Sequence, residues 1–472
     1  MSISTGKDTF IVCRNSQGTE VRATLLRLTR YVVVFEVYNP YSILQLSEVL
    51  LDFKIVMNDR MIYSGRAVVS NLVNTGIMLM CEATLEDGWL DLDLFSSYVP
   101  KKLHEEFLGF LAEWEKNYQV GSEFKVIVAD MQNLFMDLRR WLEQVELGIR
   151  SEPAKNRVEV EKEIIQELEK PILPSLAPLF EKLEKTAKDI GEDLQSLHRS
   201  YLRRQLHPLV LCSPFVYRVF QKPLGYAGDY EMVNMILQDP HQGSTLFAKI
   251  LNHFFLNIAP CQAHRNRIKY LVDNIRRETQ RMMRSGKKAK VFNLGCGPAQ
   301  EVQNFLAQDD LCEKTEMTLV DFNDETLTYT GKLLDDIRRQ FGRNTAIQMV
   351  KKSVNQILKD SFKTSDGVEG PKYDLIYCAG LFDYLSDRIC KRLMDIFYSM
   401  LAPGGFLIAT NVDSSNPNRY AMEYLGEWHL VYRNKEQLAA LKPDMAKEGE
   451  FSVTAESTGV NIFIEVRKPE NA

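Results

Sequence analysis

A glycine-rich turn between an apolar run and a helix-favouring stretch is the feature of this chain that most constrains its fold. Residues 291–301 read VFNLGCGPAQE, with Gly295 and Gly297 at the turn. The pattern predicts a buried strand, a tight turn and a helix, and glycine allows the backbone of such a turn to approach a nucleotide-like ligand closely. A dinucleotide-binding fingerprint has its third glycine where Gln300 stands, so the turn argues against NAD.

Strand-like and helix-like segments alternate from Lys288 onward. The alternation predicts a parallel, doubly wound sheet with helices on its faces. The runs at 449–455 and 459–466 predict a closing hairpin on that sheet. The strands are expected at 290–294, 316–320, 346–350, 374–378 and 406–411, and the helices at 301–306, 324–341 and 388–400.

Short β-rich runs dominate the chain up to about Asp93 and are separated by Asn, Gly and Pro. They predict a small antiparallel barrel or sandwich. These runs lie at 10–13, 21–28, 31–37, 49–56, 61–70 and 76–83.

Apolar residues at helical spacing follow from Pro100 onward and predict amphipathic helices. Pro171 and Pro174 are expected to interrupt this helical stretch. Its charged outer faces favour packing and spacer elements, with a partner helix or a dimer contact as the alternative. The predicted helices lie at 105–115, 124–149, 158–169 and 176–205.

The length of 472 residues exceeds what one hydrophobic core usually organises. The patterns together predict a β-barrel domain at 1–99, a helical linker at 100–205 and an α/β domain at 206–472. Within the last, 206–287 is expected to be a helical cap and 288–472 the core.

Composition and charge limit the partners, metal sites and cellular location expected for the protein. The net charge of −5 provides no overall attraction for nucleic acid, so no nucleic-acid partner is expected. The eight cysteines include no CxxC pair and no Cys/His cluster at zinc spacing, which predicts reduced thiols and no metal site. The first residues lack the pattern of a secretory signal, and no apolar run is long enough to span a bilayer, so the expected location is the cytoplasm.

Asp321 is a second residue that indicates a nucleotide-like ligand. It ends the strand predicted after the glycine turn. A Rossmann-like fold places a carboxylate there to bind the two ribose hydroxyls of an adenosine ligand. The third strand ends near 352–355, the fourth opens into AGLFDY at 379–384, and a Pro-Gly-Gly turn at 403–405 precedes a further strand. As an ordered set, these segments resemble the class I S-adenosylmethionine-dependent methyltransferases, over about 288–472.

This resemblance implies a Rossmann-like α/β domain and S-adenosyl-L-methionine (SAM) as cofactor. Asn293 stands where many members of the family carry an acid, and Ala299 replaces the third glycine of their turn. Asn293 still accepts a hydrogen bond and keeps its place in the predicted cofactor site. The other implied contacts are Gly295 and Gly297 with the methionine moiety, Asp321 with the ribose, Phe322, Ser353 and Val354 with the adenine, and Ala379, Gly380 and Leu381 with the sulfonium side.

Two segments outside the glycine turn bear on the methyl acceptor. Residues 223–231 read PLGYAGDYE, and residues 426–433 read GEWHLVYR. They resemble the bacterial enzymes known as extracellular-factor 3-hydroxypalmitate methyl ester synthases, over about 206–472. This resemblance implies O-methylation of the carboxylate of a small or fatty acid, to make a methyl ester quorum signal.

A carboxylate acceptor needs no general base, because it is already an anion at neutral pH. Positioning is then the main demand on the site. Tyr384, Tyr432 and Arg433 are predicted to position the acceptor. The predicted substrate-binding residues are Tyr226, Asp229, Tyr230, Trp428 and His429.

Most of these acceptor-site residues also have a plainer interpretation. Trp428 and Tyr432 suit a core, and Arg433 suits a surface ion pair. Asp229 is expected to cap a helix. His429 suits a general base for a hydroxyl or amine acceptor, or a structural hydrogen bond.

The N-terminal runs resemble a PilZ-type barrel, a family best known for binding cyclic di-GMP. That family binds through an arginine pair and an acid-x-Ser-x-x-Gly turn, and the corresponding turn here is RLTRYV at 27–32. The acid, the serine and the glycine are absent from this turn, and no arginine pair precedes it. The resemblance therefore predicts a PilZ-like fold without the dinucleotide, which docks a protein partner.

The sequence is compatible with three functions. The leading hypothesis is a SAM-dependent carboxyl methyltransferase. The alternatives are a regulatory protein whose methyltransferase fold senses the cofactor, and an enzyme that methylates an amine or a protein side chain.

Overall fold

The computed structural model describes residues 9–29, 31–38, 44–57, 60–74, 78–86, 104, 107–109, 111–112, 119–153, 155–363, 370–447 and 449–470. Arg30 of the predicted PilZ-type turn and most of the predicted helix at 105–115 lie outside these described residues. The chain forms two compact units. We call them the barrel unit, which comprises Met1–Ala227, Pro240–Phe255 and Pro417–His429, and the sheet unit, which comprises Gly228–Asp239, Leu256–Asn416 and Leu430–Ala472. The domain boundaries predicted from the sequence divide the chain differently and stay predictions.

Six strands of the barrel unit form a closed antiparallel barrel: β1 (Thr9–Arg14), β2 (Glu20–Leu28), β3 (Val32–Tyr38), β4 (Val49–Met57), β5 (Arg60–Asn74) and β6 (Met78–Leu85). Around the barrel they follow the order β1-β2-β3-β6-β5-β4. Alternate residues point inward, as in β2, where Val21, Ala23 and Leu25 are buried between exposed neighbours. All six strands predicted near the N-terminus are confirmed.

Amphipathic helices follow the barrel, and further helices accompany the sheet described below. In chain order they are α1 (Ser122–Ser151), α2 (Arg157–Lys188), α3 (Glu192–Val210), α4 (Pro214–Gln221), α5 (Tyr230–Leu237), α6 (Leu246–Leu256), α7 (Ala259–Arg284), α8 (Gln300–Gln308), α9 (Asp324–Phe341), α10 (Val354–Lys363), α11 (Asp387–Met400), α12 (Arg419–Gly426) and α13 (Lys435–Ala439). In the described part of the chain, none of the helices has the length and apolarity needed to cross a membrane.

The structure corrects two predictions about the helical stretch. The helix predicted at 176–205 is divided between α2 and α3, because α2 ends at Lys188 and α3 begins at Glu192. Helix α2 runs through Pro171 and Pro174, where the sequence predicts an interruption. Each proline removes one backbone hydrogen bond of the helix, but buried apolar side chains hold α2 in place along its length. Phe180 is one of them, and its ring packs on Phe135 of α1 with the ring centroids 6.5 Å apart. The burial of this apolar face outweighs the lost hydrogen bonds.

Seven strands form one sheet in the sheet unit: β7 (Ala289–Leu294), β8 (Thr315–Asp321), β9 (Ala346–Lys351), β10 (Tyr373–Cys378), β11 (Leu401–Val412), β12 (Phe451–Ala455) and β13 (Asn461–Arg467). Their order is β12-β13-β11-β10-β7-β8-β9. Strands β7 to β11 pair in parallel, and β13 is antiparallel to both β11 and β12. The predicted doubly wound sheet and its closing hairpin are confirmed, while the predicted turn at 403–405 lies inside β11.

Buried apolar clusters lie on both faces of this sheet, as the residues of β10 show. Ile376 and Cys378 belong to one cluster, together with Phe397 of α11. Leu375 belongs to the other cluster, together with Phe305 of α8. Because successive side chains of a strand point to opposite faces, a strand covered on both sides is buried throughout, as all six residues of β10 are.

Strand β7 lies where the order of the sheet reverses. The chain proceeds from β7 to β8 and β9 on one side and then returns to β10 on the other side of β7. The loops after β7 and β10 therefore diverge at the carboxyl edge of the sheet. Open α/β sheets bind their ligands in the crevice at such a point.

Candidate functional site

The turn after β7 has the backbone conformation that its glycines allow. Gly295 and Gly297 have φ values of +73° and +50°, a region that residues with a β-carbon rarely adopt. The amides of Gly295 and Cys296 donate to the carbonyl oxygen of Val320 at 2.8 and 3.0 Å. The turn is thereby bonded to β8.

Asp321 ends β8 and binds the same turn through its carboxylate. Its Oδ2 accepts a hydrogen bond from the amide of Gly297 at 3.1 Å, and its Oδ1 accepts one from the amide of Asn323 at 3.0 Å. Burial raises the pKa of Asp321, while the amides of Asn323 and Gly297 act in the opposite direction. The hydroxyl of Thr330 on α9 donates to the carbonyl oxygen of Gly297 at 2.8 Å. The predicted ribose-binding residue and the predicted glycine turn therefore form one hydrogen-bonded structure.

A buried polar cluster adjoins the turn. The side-chain amide of Asn293 donates to Oε1 of Glu301 at 3.2 Å, and the hydroxyl of Tyr377 donates to the same oxygen at 2.8 Å. Burial raises the pKa of Glu301. The Oδ1 atom of Asn293 is also buried and accepts no hydrogen bond from any residue that the structure describes. Asn293 replaces the acid that the resemblance leads one to expect, and the carboxylate of Glu301 lies beside it.

A buried arginine faces the segment after β10. Gly380 has a φ of +89°, and its amide donates to Oγ1 of Thr410 at 2.9 Å. A β-carbon at Gly380 would lie 3.1 Å from Nη1 of Arg267, which is a buried residue of α7. Burial lowers the pKa of Arg267, and the carboxylates of Asp383 and Glu301 oppose this effect. A guanidinium group is thus held at the carboxyl edge of the sheet.

Ala379 and Leu381 flank Gly380 and connect it to the rest of the edge. A β-carbon at Gly295 would lie 3.6 Å from the β-carbon of Leu381. Ala379 and Leu381 are half-buried and pack against the apolar clusters on opposite faces of the sheet. The glycine turn and the segment after β10, predicted to share one site, are therefore adjacent.

Tyr384 contacts the loop that precedes α5. Gly228 in this loop has a φ of +77°, and a β-carbon there would lie 2.8 Å from the hydroxyl oxygen of Tyr384. A side chain at position 228 would therefore force the Tyr384 hydroxyl to shift. The neighbouring Asp383 is buried, and its Oδ1 accepts a hydrogen bond from the amide of Val412 at 2.7 Å. Burial raises the pKa of Asp383 to about 6.

The two residues that follow Gly228 support helices. Oδ1 of Asp229 accepts a hydrogen bond from the amide of Met232 at 2.8 Å, which confirms the predicted helix cap. The hydroxyl of Tyr230 donates to Oε1 of Glu325 at 2.9 Å, and its ring stacks on that of Tyr329 with the centroids 4.5 Å apart. Both partners of Tyr230 belong to α9, the helix after β8.

The three residues predicted to contact an adenine follow β8 and β9. Phe322 is half-buried directly after Asp321. Ser353 caps α10, because its Oγ accepts from the amide of Gln356 at 3.3 Å and its own amide donates to Oε1 of Gln356 at 2.8 Å. Val354 begins α10 and packs, half-buried, against one of the apolar clusters.

Arg433 is bound into the framework of the sheet unit. Its side chain is only 2% exposed. Its guanidinium donates to the carbonyl oxygens of Phe382 and Leu385 at 2.9 and 2.7 Å, to Oδ1 of Asn411 at 2.5 Å and to Oδ1 of Asp387 at 2.9 Å. These bonds favour a framework role for Arg433 over the predicted positioning role. The preceding Tyr432 is half-buried.

Tyr226, Trp428 and His429 belong to the barrel unit, whereas the residues above belong to the sheet unit. Nε2 of His429 lies 3.2 Å from Nη1 of Arg199, and its carbonyl oxygen accepts a hydrogen bond from the hydroxyl of Ser47 at 2.9 Å. Burial holds the pKa of His429 well below its usual range, and the charge of Arg199 adds to the effect. The guanidinium of Arg199 can only donate, so Nε2 of His429 accepts this hydrogen bond. The bonding favours the structural interpretation.

Neither the known protein-family models nor the curated proteins include a match to this chain. Solved structures that are similar to it at low identity include the following three. One is a possible exported protein from Bordetella parapertussis, with 17% identity over 54% of this chain and 86% of that chain and a TM-score of 0.40. Magnesium protoporphyrin IX methyltransferase (ChlM) from Synechocystis PCC 6803 with bound SAH has 11% identity over 44% of this chain and 84% of that chain, with a TM-score of 0.30. The N-methyltransferase NodS from Bradyrhizobium japonicum WM9 in complex with S-adenosyl-L-homocysteine has 16% identity over 54% of this chain and 100% of that chain, with a TM-score of 0.30.

The strand topology defines the fold class. The order of the sheet, with β13 antiparallel between β11 and β12, is the Rossmann-like arrangement predicted for a class I methyltransferase domain. The closed barrel confirms the predicted N-terminal β-barrel. Its likeness to PilZ barrels stays a prediction.

Two residues of the sheet edge are not recognisable from the sequence. Arg267 lies in a helix with many other charged residues, and no local pattern distinguishes it from them. Glu301 is an acid in the first turn of a helix, a position that the helix dipole favours without any further role. Only the tertiary fold brings both side chains to the carboxyl edge of the sheet.

Proposed function

We propose that this protein is a SAM-dependent methyltransferase whose sheet unit binds the cofactor at the carboxyl ends of β7, β8, β9 and β10. The observation that carries the proposal is the hydrogen bond between Gly297 and Asp321. It joins a backbone turn suited to close approach of a ligand to a carboxylate suited to a ribose diol. The residues proposed to hold the cofactor are Asn293, Gly295, Gly297, Asp321, Phe322, Ser353, Val354, Ala379, Gly380 and Leu381.

The residues present suit this cofactor. Oδ1 of Asn293 is a buried acceptor without a donor among the described residues, and the ammonium group at the methionine end of SAM is a donor of the matching kind. The Asp321 carboxylate accepts the amides of Gly297 and Asn323, and the two oxygens of a carboxylate have about four acceptor positions, which suits the hydroxyls of a ribose diol. Bound SAM supplies a methyl group on a positively charged sulfur.

We further propose that the acceptor is the carboxylate of a small or fatty acid. The guanidinium of Arg267 lies against Gly380, in the segment assigned to the sulfonium side. A cation there attracts a carboxylate and orients both of its oxygens. Tyr384 interacts electrostatically with Arg267 and adds a hydroxyl donor at the same edge. These two residues support an acid acceptor over an amine.

The proposed reaction is a direct displacement. One carboxylate oxygen of the acceptor bonds to the methyl carbon as the carbon–sulfur bond breaks, which gives a methyl ester and S-adenosylhomocysteine. The acceptor is already deprotonated at neutral pH, so no side chain has to remove a proton. Arg267 and Tyr384 are assigned to hold the oxygen in line with the methyl group.

Incubation with methyl-labelled SAM and a bacterial lipid extract tests this function. Label in a base-labile ester is the expected result, lost in Asp321→Ala and kept in Asp335→Ala, which changes an exposed acid on α9. Label in a base-stable product would contradict the acid acceptor but not methyl transfer. Cofactor binding without any labelled product would favour the cofactor-sensing alternative.

We propose that the barrel unit docks a protein partner in the cytoplasm without binding cyclic di-GMP. The support is the turn at 27–32, which lacks the acid, serine and glycine of the dinucleotide-binding motif. Calorimetric titration of the full chain with cyclic di-GMP is expected to release no heat of binding. A saturable binding curve would contradict this proposal.

A further inference from the structure

Three side chains of metal-ligating type meet in the barrel unit, whereas the residues proposed to bind the cofactor belong to the sheet unit. Glu169 lies on α2, His253 on α6, and His241 in the loop before α6. Oε2 of Glu169 is 2.8 Å from Nε2 of His241 and 2.7 Å from Nδ1 of His253, and the two nitrogens are 3.1 Å apart. The three donor atoms form a small triangle.

The size of this triangle is close to that of one face of a metal coordination sphere. At bond lengths of about 2.1 Å, neighbouring ligand atoms lie about 3.0 Å apart in octahedral geometry and about 3.4 Å apart in tetrahedral geometry. The observed edges of 2.7 to 3.1 Å are near the octahedral value. Two imidazoles and one carboxylate are a ligand set that binds Zn²⁺ and related divalent transition metals.

A buried asparagine positions both histidines. Asn252 directly precedes His253, and its side-chain amide donates to the carbonyl oxygen of Pro240, the residue before His241, at 2.8 Å. Asn252 is 2% exposed, and its Oδ1 accepts a hydrogen bond from the hydroxyl of Ser213 at 2.8 Å. The loop with His241 is therefore tied to the helix with His253 before a ligand binds, which lowers the entropy lost on binding.

Further contacts hold α6 against α2, the helix that carries Glu169. Lys249 of α6 forms an ion pair with Glu161 of α2, and the ring of Phe254 packs on that of Phe180 with the centroids 5.0 Å apart. The side chains of the triangle remain between 16% and 27% exposed. The surrounding contacts thus hold the three side chains in place, and each of them keeps part of its surface exposed to solvent.

We propose that Glu169, His241 and His253 bind one divalent transition-metal ion of the zinc class. This proposal departs from the sequence analysis, which predicts no metal site because the cysteines and histidines show no zinc spacing. With three protein ligands, the ion keeps a coordination position for water or an external ligand, unlike a closed four-ligand structural site. The ion links α2 to the segment that carries both histidines and stabilises the folded barrel unit by mass action. The competing account of the same geometry is a metal-free triad of hydrogen bonds.

Cobalt(II) is the probe that separates these accounts, because it occupies zinc-class sites and absorbs visible light when proteins bind it. The metal-free full chain is titrated with Co²⁺ and then with Zn²⁺. One equivalent of Co²⁺ is expected to bind with visible absorption and to be displaced by Zn²⁺. His241→Ala, His253→Ala and Glu169→Gln are each expected to weaken Co²⁺ binding by at least about 100-fold. His104→Ala, at an exposed helical position, is expected to leave it unchanged.

Thermal unfolding keeps the proposal testable if a histidine variant fails to fold. Excess Zn²⁺ is expected to raise the Tm of the wild-type chain but not that of Glu169→Gln, whose amide oxygen still accepts hydrogen bonds from the imidazoles. Absence of Co²⁺ absorption in the wild type would overturn the metal site in favour of the metal-free triad. Equal Co²⁺ affinity in the wild type and Glu169→Gln would overturn it as well.

Discussion

The backbone amide of Gly297 donates a hydrogen bond of 3.1 Å to the carboxylate of Asp321. Gly297 follows one strand and Asp321 ends the next, and their strands pair in parallel. The bond therefore joins the glycine turn and the acid, which are separate signals in the sequence, at one edge of the sheet. A change at either residue is expected to affect the whole cofactor site.

Asp321→Ala is expected to weaken SAM binding at least about 100-fold, because hydrogen bonds to a charged group contribute about 1.5–3 kcal/mol each and a ribose diol would lose two of them. The substitution also leaves the amides of Gly297 and Asn323 without their acceptor. Isothermal titration calorimetry with SAM measures the effect. Asp335→Ala is the control. Equal SAM affinity in the two variants would show that Asp321 does not contribute to SAM binding.

Arg267→Gln is expected to raise the KM for an acid acceptor by at least about tenfold, since it removes the cation proposed to hold the carboxylate. SAM affinity should change much less. Because Arg267 also faces the buried carboxylates of Asp383 and Glu301, its loss is expected to lower the Tm, and kinetics are measured well below that temperature. Lys269→Gln changes an exposed cation on the same helix. If the KM of folded Arg267→Gln equals that of this control, Arg267 has a structural role alone.

Gly228→Ala is expected to destabilise the protein more than Gly286→Ala. Both glycines have a positive φ, +77° and +70°, so each substitution carries a backbone penalty of about 1–2 kcal/mol. Only at Gly228 does the new β-carbon meet another group, the hydroxyl of Tyr384 at 2.8 Å, whereas nothing lies within 4 Å at Gly286. The double variant Gly228→Ala/Tyr384→Phe should regain the stability that Gly228→Ala loses beyond Gly286→Ala, because it lacks the hydroxyl that the new β-carbon meets. Urea unfolding of the variants checks this, and equal losses at both glycines would contradict the close approach.

Glu48 is expected to make the stability of the barrel unit depend on pH. Burial raises its pKa from 4.5 to about 7, although the hydroxyl and amide of Ser16 and the amide of Gln45 act in the opposite direction. The folded state then holds a proton that the unfolded chain releases at lower pH, so stability falls as pH rises from about 4.5 to about 7. Over this range the Tm of Glu48→Gln should rise relative to that of the wild type.

Thermal unfolding at about pH 5 and about pH 8 tests this dependence, because most of the titration of Glu48 falls between these two values. The exposed Glu20→Gln on β2 serves as the matched control. A difference in Tm between wild type and Glu48→Gln that stays constant with pH would show that Glu48 keeps an ordinary pKa.

Most of the fold was predictable because strands, turns and amphipathic helices depend on neighbouring residues. The predicted helix at 324–341 is α9, and the predicted strand at 374–378 matches β10 to within one residue. At Pro171 and Pro174, the prediction that a proline interrupts a helix is wrong. A proline always removes a hydrogen bond from a helix, but whether the helix continues depends on what its other side chains bury, and that is decided by elements far along the chain.

The sequence by itself determined the glycine turn, the acid after the next strand and the alternation that builds the sheet, since each is a property of residues close together in the chain. Only the tertiary structure decided that Arg267 faces Gly380 and that Glu169 meets His241 and His253, the first of them 72 residues away. Periodicity shows which face of an element is buried, but not which distant element covers it. Contacts of that kind exist only once the chain has packed.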